Sequence, residues 1–194
     1  PSYFQKNPIG YKNFISKIKN CFGDFAINTN DRFKIRFPKA ITDILTYFYD
    51  IKSYHSDKIR IPFRIYKTDK LNKLACITAY IVDEGHIRDI VTVYSMNKEF
   101  FIDLKKLIES CGYLCGRVKP YKSSSIFNLD LSNKTIELFY YDYLKLIEQF
   151  PNCSLANKHD KLVYIISRRK NDSKIVNIDN EILRLLENEK LTTR

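Results

Sequence analysis

Asp83, Glu84 and Gly85 place two adjacent carboxylates where a helical stretch gives way to a strand. Upstream, Leu71, Leu74, Ala75, Thr78 and Ile81 recur at helical spacing. Downstream, Val91 and Val93 alternate with Thr92 and Tyr94, the pattern of a strand with one covered face. Gly85 is placed to end the helix through the left-handed conformation that glycine adopts freely. A helix C-terminus already carries partial negative charge, so two acids there call for a compensating cation. Ala75 and Ala79, four apart, leave a flat strip where a second helix could approach closely. The same residues also describe a surface turn that carries acids, and spacing alone leaves both readings open.

The elements that must hold these acids can be read in chain order. Residues 1–10 read as an irregular lead-in. A helix is predicted from about Tyr11 to Phe22, with Phe14, Ile15, Ile18, Cys21 and Phe22 on one face and Gly23 ending it. A short strand, Phe25–Asn28, is followed by a turn at Thr29-Asn30-Asp31. Next, Arg32, Lys34 and Arg36 alternate with Phe33, Ile35 and Phe37, so one face of that strand is apolar and the other is a row of cations. Such a row could meet a polyanion, or it could simply guard an exposed strand against aggregation. Pro38 opens a helix through Ile41, Ile44, Leu45 and Phe48.

Beyond the acids, Lys98–Cys111 reads as a helix stopped by Gly112. Strands are predicted at Leu114–Tyr121 and Ile126–Leu131 around a turn at Ser123-Ser124-Ser125, then a helix from about Thr135 to Phe150. This order matches that of residues 11–50. Gly23 and Gly112, Ile35 and Leu129, and Ile41 and Ile136 are separated by 89, 94 and 95 residues, which suggests an internal repeat. Lys158–Ser167 reads as a helix or strand and leads into Arg168-Arg169-Lys170. The end, from Ile178, is amphipathic and resembles the first helix of a winged helix-turn-helix.

Composition narrows the partners. The 194-residue chain is 44% hydrophobic, enough for a core, and its 33 Lys and Arg against 22 Asp and Glu give a formal net charge of +11. That excess favours nucleic acid first and an acidic membrane surface second. No apolar run approaches the length of a membrane helix, and no signal-peptide pattern is present. Five cysteines without paired short spacings suggest free thiols in a reducing cytoplasm. Cys111 and Cys115 could form half of a zinc site, but no second ligand pair accompanies them.

The stretch Ile77-Thr78-Ala79-Tyr80-Ile81-Val82-Asp83-Glu84-Gly85, with His86-Ile87 continuing into a strand, resembles the nine-residue motif of the LAGLIDADG homing endonucleases. Ile59-Arg60-Ile61-Pro62 before it and Ser95-Met96-Asn97-Lys98 after it are similar to the archaeal-type members. Val82 stands where that family usually has an aspartate, and Ala79 replaces a glycine. The resemblance implies an α/β (α+β) fold of αββαββα repeats with antiparallel saddle sheets, followed here by a C-terminal helical segment. It divides the chain into a partial first repeat (1–69), a second repeat (70–157) and a basic C-terminal segment (158–194). The first-copy counterpart of Glu84 would fall about 90 positions earlier, before Pro1. The first motif helix is therefore expected from a second copy of the chain or from a flanking segment.

The resemblance further implies site residues. Glu84 is the expected metal-binding and catalytic acid, with Asp83 beside it, and Mg²⁺ is the implied ion. Ala75, Thr78 and Ala79 are the expected helix-pair interface. Double-stranded DNA would lie on the sheets, met by Arg32, Lys34 and Arg36 from one copy and by Arg88, Arg117, Lys119 and Lys122 from the other, with Tyr94 and Tyr121 adding polar contacts. The implied activity is a Mg-dependent DNA endonuclease. A catalytically degenerate DNA-binding regulator and an RNA-binding splicing factor are the alternatives on the same fold.

Overall fold

The computed structural model describes residues 2–169 apart from 27, 32, 37 and 123, with backbone alone for 28–31. Arg32, Lys170 and the expected helix from Ile178 lie outside the described residues.

The first half begins with a strand that the sequence pattern missed. β1 (Ser2–Phe4) leads through Asn7 into helix α1 (Pro8–Phe22). The Asn7 side chain accepts from the backbone N–H groups of Ile9 and Gly10, both at 3.0 Å, and Pro8 occupies the first turn. The helix therefore starts three residues before Tyr11. Strand β2 (Asn28–Asp31) occupies the place expected to turn, and β3 (Lys34–Arg36) follows. Backbone pairing with β3 decides this. Asn28 lies opposite Arg36 and Asp31 opposite Lys34, across a register shift. The sheet order is β1-β3-β2, so β2 is an edge, where a polar sequence is tolerated. Helix α2 (Lys39–Tyr49) buries Ile41 but leaves Ile44 and Phe48 half exposed.

The second half is built around the acid-bearing helix. A short helix α3 (Phe63–Tyr66) precedes α4 (Lys70–Glu84), which Asp69 caps by accepting from the Asn72 N–H at 2.8 Å. There follow β4 (Gly85–Ile87), β5 (Val91–Ser95), α5 (Lys98–Ser110), β6 (Lys119–Pro120), β7 (Phe127–Asp130) and α6 (Ile136–Gln149). The expected strand Leu114–Tyr121 shrinks to β6 and one bridge between Cys115 and Leu131. Pro120 supplies no ladder donor, and Gly116 packs no side chain, so this stretch makes a poor strand. Two 3-10 turns, Pro151–Cys153 and Ala156–Lys158, lead into helix α7, which covers residues 159–169.

The second sheet has the order β4-β5-β7-β6, all antiparallel, and its last three strands repeat the arrangement β1-β3-β2. Asn97 caps α5 as Asn7 caps α1, and Gly23 and Gly112 both follow their helices at positive φ, 81° and 86°. The core lies almost wholly in the second half. Leu74, Ile77 and Ile81 of α4 pack with Val91, Val93 and Leu129 of the sheet, Leu104 and Ile108 of α5, Phe139 and Tyr143 of α6, and Leu162 and Ile165 of α7. Among the described residues the first half contributes only Ile35 and Ile41 to the fully buried apolar set before the connector residue Ile61.

Gly85 does not act as expected. Its φ and ψ are −88° and 155°, ordinary extended backbone. Glycine is required there for space: a Cβ would stand 2.5 Å from the Ile81 carbonyl oxygen. The chain leaves α4 by folding tightly against its last turn, and β4 starts at once.

Candidate nucleic-acid interface and acid pair

Asp83 and Glu84 occupy the last turn of α4 and point to different surroundings. The Asp83 carboxylate accepts from the Tyr3 hydroxyl and from Gln5 Nε2 at 2.8 Å, tying the N-terminal strand to the end of α4. Glu84 has no hydrogen-bond or ion-pair partner among the described residues. It borders a cavity walled by Tyr80, Tyr94, Met96 and Phe100. Both side chains reach the surface with protein packed on their inner sides. That burial raises the Asp83 carboxyl pKa, against the Tyr3 hydrogen bond and the nearby Lys158 and Lys17 charges. Burial also raises the Glu84 carboxyl, and repulsion from Asp83 adds to it, while Lys158 opposes.

The compensating cation is Lys158, which the sequence reading did not single out. Its ammonium donates to the carbonyls of Ile81 and Val82 at 2.7 and 2.6 Å. It thus closes the C-terminal end of α4 and supplies positive charge beside both acids. Burial lowers the Lys158 pKa, while Asp83 and Glu84 pull it up. Tyr3 and Gln5 were also missed. They lie about 80 residues from Asp83, and a three-residue strand carries too little pattern to reveal the contact.

The helix-pair residues separate into two kinds. Thr78 is fully buried within the chain itself, its hydroxyl donating to the Ala75 carbonyl at 3.0 Å. Ala75 and Ala79 are half buried, so the small-residue strip remains partly open.

The outer face of the second sheet is polar by register. His86, Thr92 and Asp130 form one row across β4, β5 and β7, and Tyr94, Asn128 and Lys119 form the next. Thr92 donates to Asp130 at 2.8 Å, and the Lys119 ammonium lies 3.4 Å from the same carboxylate. Tyr94 and Tyr121 meet edge to face at 5.1 Å, and Lys122 sits over the Tyr121 ring at 5.4 Å. The structure therefore brings Tyr94, Lys119, Tyr121 and Lys122 together, with Arg117 exposed on the segment leading into β6. Arg88 stands apart, exposed in the β4–β5 turn. Lys34 and Arg36 belong to the other sheet, on the face opposite buried Ile35.

Glu84 suits a hard divalent cation as one oxygen ligand, because its carboxylate has no other partner and is repelled by Asp83. Among the described residues no cluster of three or more His, Cys, Asp or Glu side chains accompanies it. Magnesium is commonly held by one or two carboxylates, with water and substrate phosphate completing its shell, and Glu84 fits that use while Asp83 is engaged by Tyr3 and Gln5.

No protein-family model matches the chain, and no curated protein matches it. Solved structures do. One of I-DmoI in complex with DNA and Mn aligns with a TM-score of 0.50 and 12% identity, covering 73% of this chain and 78% of that one. Another, of mesophilic variants of the homing endonuclease I-DmoI, aligns with a TM-score of 0.48 and 14% identity over 74% of this chain and 78% of that one. A third, an I-DmoI variant with its target DNA and Mn, gives 0.47 and 11% over 79% and 80%. At these identities the likeness is one of fold: this chain has the mixed α/β, antiparallel-sheet architecture of the LAGLIDADG homing endonuclease I-DmoI.

Proposed function

We propose that the protein is a DNA-binding protein of the LAGLIDADG homing endonuclease type, closest in pattern to the archaeal-type members, and that it cleaves double-stranded DNA with Mg²⁺. The observation that carries the reading is the placement of Glu84: an unpartnered carboxylate at the tip of α4, where the chain enters a sheet whose outer face is polar. The likeness to the solved structure of I-DmoI in complex with DNA and Mn supports a polyanionic partner and a divalent ion. The net charge of +11 supports the same partner.

In this reading residues 70–157 form one repeat and residues 1–69 a partial one, with 158–194 as the basic C-terminal segment. Lys34 and Arg36 meet phosphates from the first sheet, together with Arg32. Arg88, Arg117, Lys119 and Lys122 do so from the second, where Tyr94 and Tyr121 add contacts. Glu84 holds the ion and Asp83 fixes the tip of α4 through Tyr3 and Gln5. Bound magnesium would activate water and stabilise the leaving oxygen of a phosphodiester. Cutting both strands calls for a second acid-bearing helix against Ala75 and Ala79, from another copy of the chain or from a flanking segment.

A plasmid-nicking assay with Mg²⁺ or Mn²⁺, run beside a duplex-binding assay, tests both halves of the reading. Wild type is expected to cut, and Glu84→Gln to bind without cutting. Lys34→Glu with Arg36→Glu should weaken binding to every duplex and flatten its salt dependence. Cutting that survives Glu84→Gln removes this residue from the mechanism. Binding without any cutting leaves a DNA-binding regulator on the same fold, a role favoured by the engagement of Asp83 with Tyr3 and Gln5. Tighter binding to RNA than to duplex DNA would point to the splicing-factor role.

A further inference from the structure

The basic cluster at the end of α7 is not used by either sheet face, yet it closes a pocket. Arg168 and Arg169 of α7, Arg88 and Asp89 of the β4–β5 turn, and Asn133 of the β7–α6 connection line a cavity of about 330 Å³, with Tyr164 as an aromatic wall. Asp89 holds the two arginines from separate elements toward one place. Its carboxylate lies 3.6 Å from Arg168 Nη1 and 3.8 Å from Arg88 Nε, on different oxygens. Arg169 is positioned by donating to the Asn133 carbonyl at 2.9 Å. Two guanidiniums, Arg88 and Arg168, share the one carboxylate, and both contacts are long. A guanidinium offers five N–H donors, so ample donor capacity remains at the pocket for a second anion.

We propose that this pocket binds a backbone phosphate of the DNA duplex, as an anchor in which Arg168 of α7 acts together with Arg88 at the end of the second sheet. The inference rests on the DNA reading above and extends the bound surface to α7. Arginine forks match phosphate oxygens in pairs, and the pocket is lined by residues from three separate elements, a concave site rather than a scatter of surface cations. Strand β4 separates the pocket from Glu84 by three residues, Gly85–Ile87. The four steps from Glu84 to Arg88 at about 3.3 Å each come to roughly 13 Å. One DNA strand carries a phosphate about every 3.4 Å of helix axis, so with β4 along that axis the anchored phosphate would lie about four nucleotides from the one at Glu84.

Duplex affinity measured against salt concentration tests the proposal, on wild type, R88A/R168A and R88K/R168K, with phosphate-ethylation interference on the same DNA. The alanine pair is expected to lower the slope of log affinity against log salt by about one phosphate's worth, ~0.9. It should also abolish interference at the phosphate about four nucleotides from the cutting position. The lysine pair should keep the slope and lose affinity, because it keeps charge and loses the fork. R168A alone tests the same point with little risk to folding, since Arg168 is 60% exposed and belongs to no sheet face. An unchanged slope and footprint in the alanine variants, with wild type binding normally, overturns the anchor and removes Arg88 from the phosphate contacts, while Arg117, Lys119 and Lys122 of the second sheet are untouched by the result. Wild type that binds no duplex overturns the DNA reading itself.

Discussion

Lys158 reaches back 76 residues to Val82 and hydrogen-bonds its carbonyl at 2.6 Å. With its second bond, to Ile81, it satisfies two acceptors at the end of a helix whose last two side chains are acids. Replacing Lys158 by Met keeps the length of the stem and removes the ammonium. The expected cost is about 1.5–3 kcal/mol, the range for hydrogen bonds to a charged group. Denaturant unfolding of Lys158→Met measures it. An unchanged midpoint would show that solvent satisfies those carbonyls equally well.

The Glu84 carboxyl predicts a pH-dependent difference. Burial and Asp83 raise its pKa in the folded chain, so the fold retains a proton that the unfolded chain has already lost. Stability from this group therefore falls as pH rises from the ordinary glutamate range through the raised value. Above that window the charged carboxylate weighs against the fold. Glu84→Gln should be more stable than wild type at neutral pH, by less than about 1 kcal/mol because solvent screens the exposed side. The difference should vanish once pH falls below the ordinary glutamate range. Thermal melts of both proteins across that range check the sign.

Two glycines that both end helices should respond differently to alanine. At Gly85 the added methyl would press on the backbone of Ile81 at 2.5 and 2.9 Å. A cost of about 1–3 kcal/mol follows, as for other overpacked sites. At Gly112 nothing lies within 4 Å, but φ is 86°. The cost there comes from left-handed backbone strain, roughly 1–2 kcal/mol. Asparagine separates the causes: it should recover part of the loss at position 112 and none at 85.

Ala79 is half buried, as is Ala75 four residues before it on α4. A second copy that completes a helix pair would bring its backbone against this residue and Ala75. Ala79→Leu should then convert a dimer to monomer in sedimentation velocity. Wild type that sediments as a monomer on its own and on DNA would assign the helix pair to a flanking segment instead.

The elements legible in the sequence are those with several turns of helix or with β-branched alternation. α4, β5, α5 and α6 fall where periodicity places them, because each has a face covered by the core of the second half. Periodicity served the first half less well. Ile44 and Phe48 continue the stripe of Ile41 but remain half exposed, so the apolar pattern there exceeds the cover that the described residues provide. Strand β1 is too short for a periodic signal, although Asn7-Pro8 was a readable helix start. At the acid pair, residue type and position were visible, while the partners Tyr3 and Lys158 arrive from distant parts of the chain. Gly85 was legible as a stop, but its cause, the close approach of Ile81, requires three dimensions.

Asn97 does more than cap a helix. While its Oδ1 accepts from the Phe100 N–H, its Nδ2 donates to the carbonyls of Ser56 and Ile59 at 3.2 and 2.8 Å. Arg60, next in the chain, grips Asp103 of the same helix through two bonds of 2.6 and 2.9 Å. The connector between the halves is thus moored to α5 from Ser56 onward, while before it the Ile51 N–H donates to the Thr46 carbonyl and the Tyr54 hydroxyl accepts from Thr46 and donates to the Thr42 carbonyl, tying it to α2. Extra residues inserted between Tyr54 and Ser56 would lengthen the tether between the two sheets and leave both moorings in place. The same insertion after Ile59 would break the mooring to α5 instead.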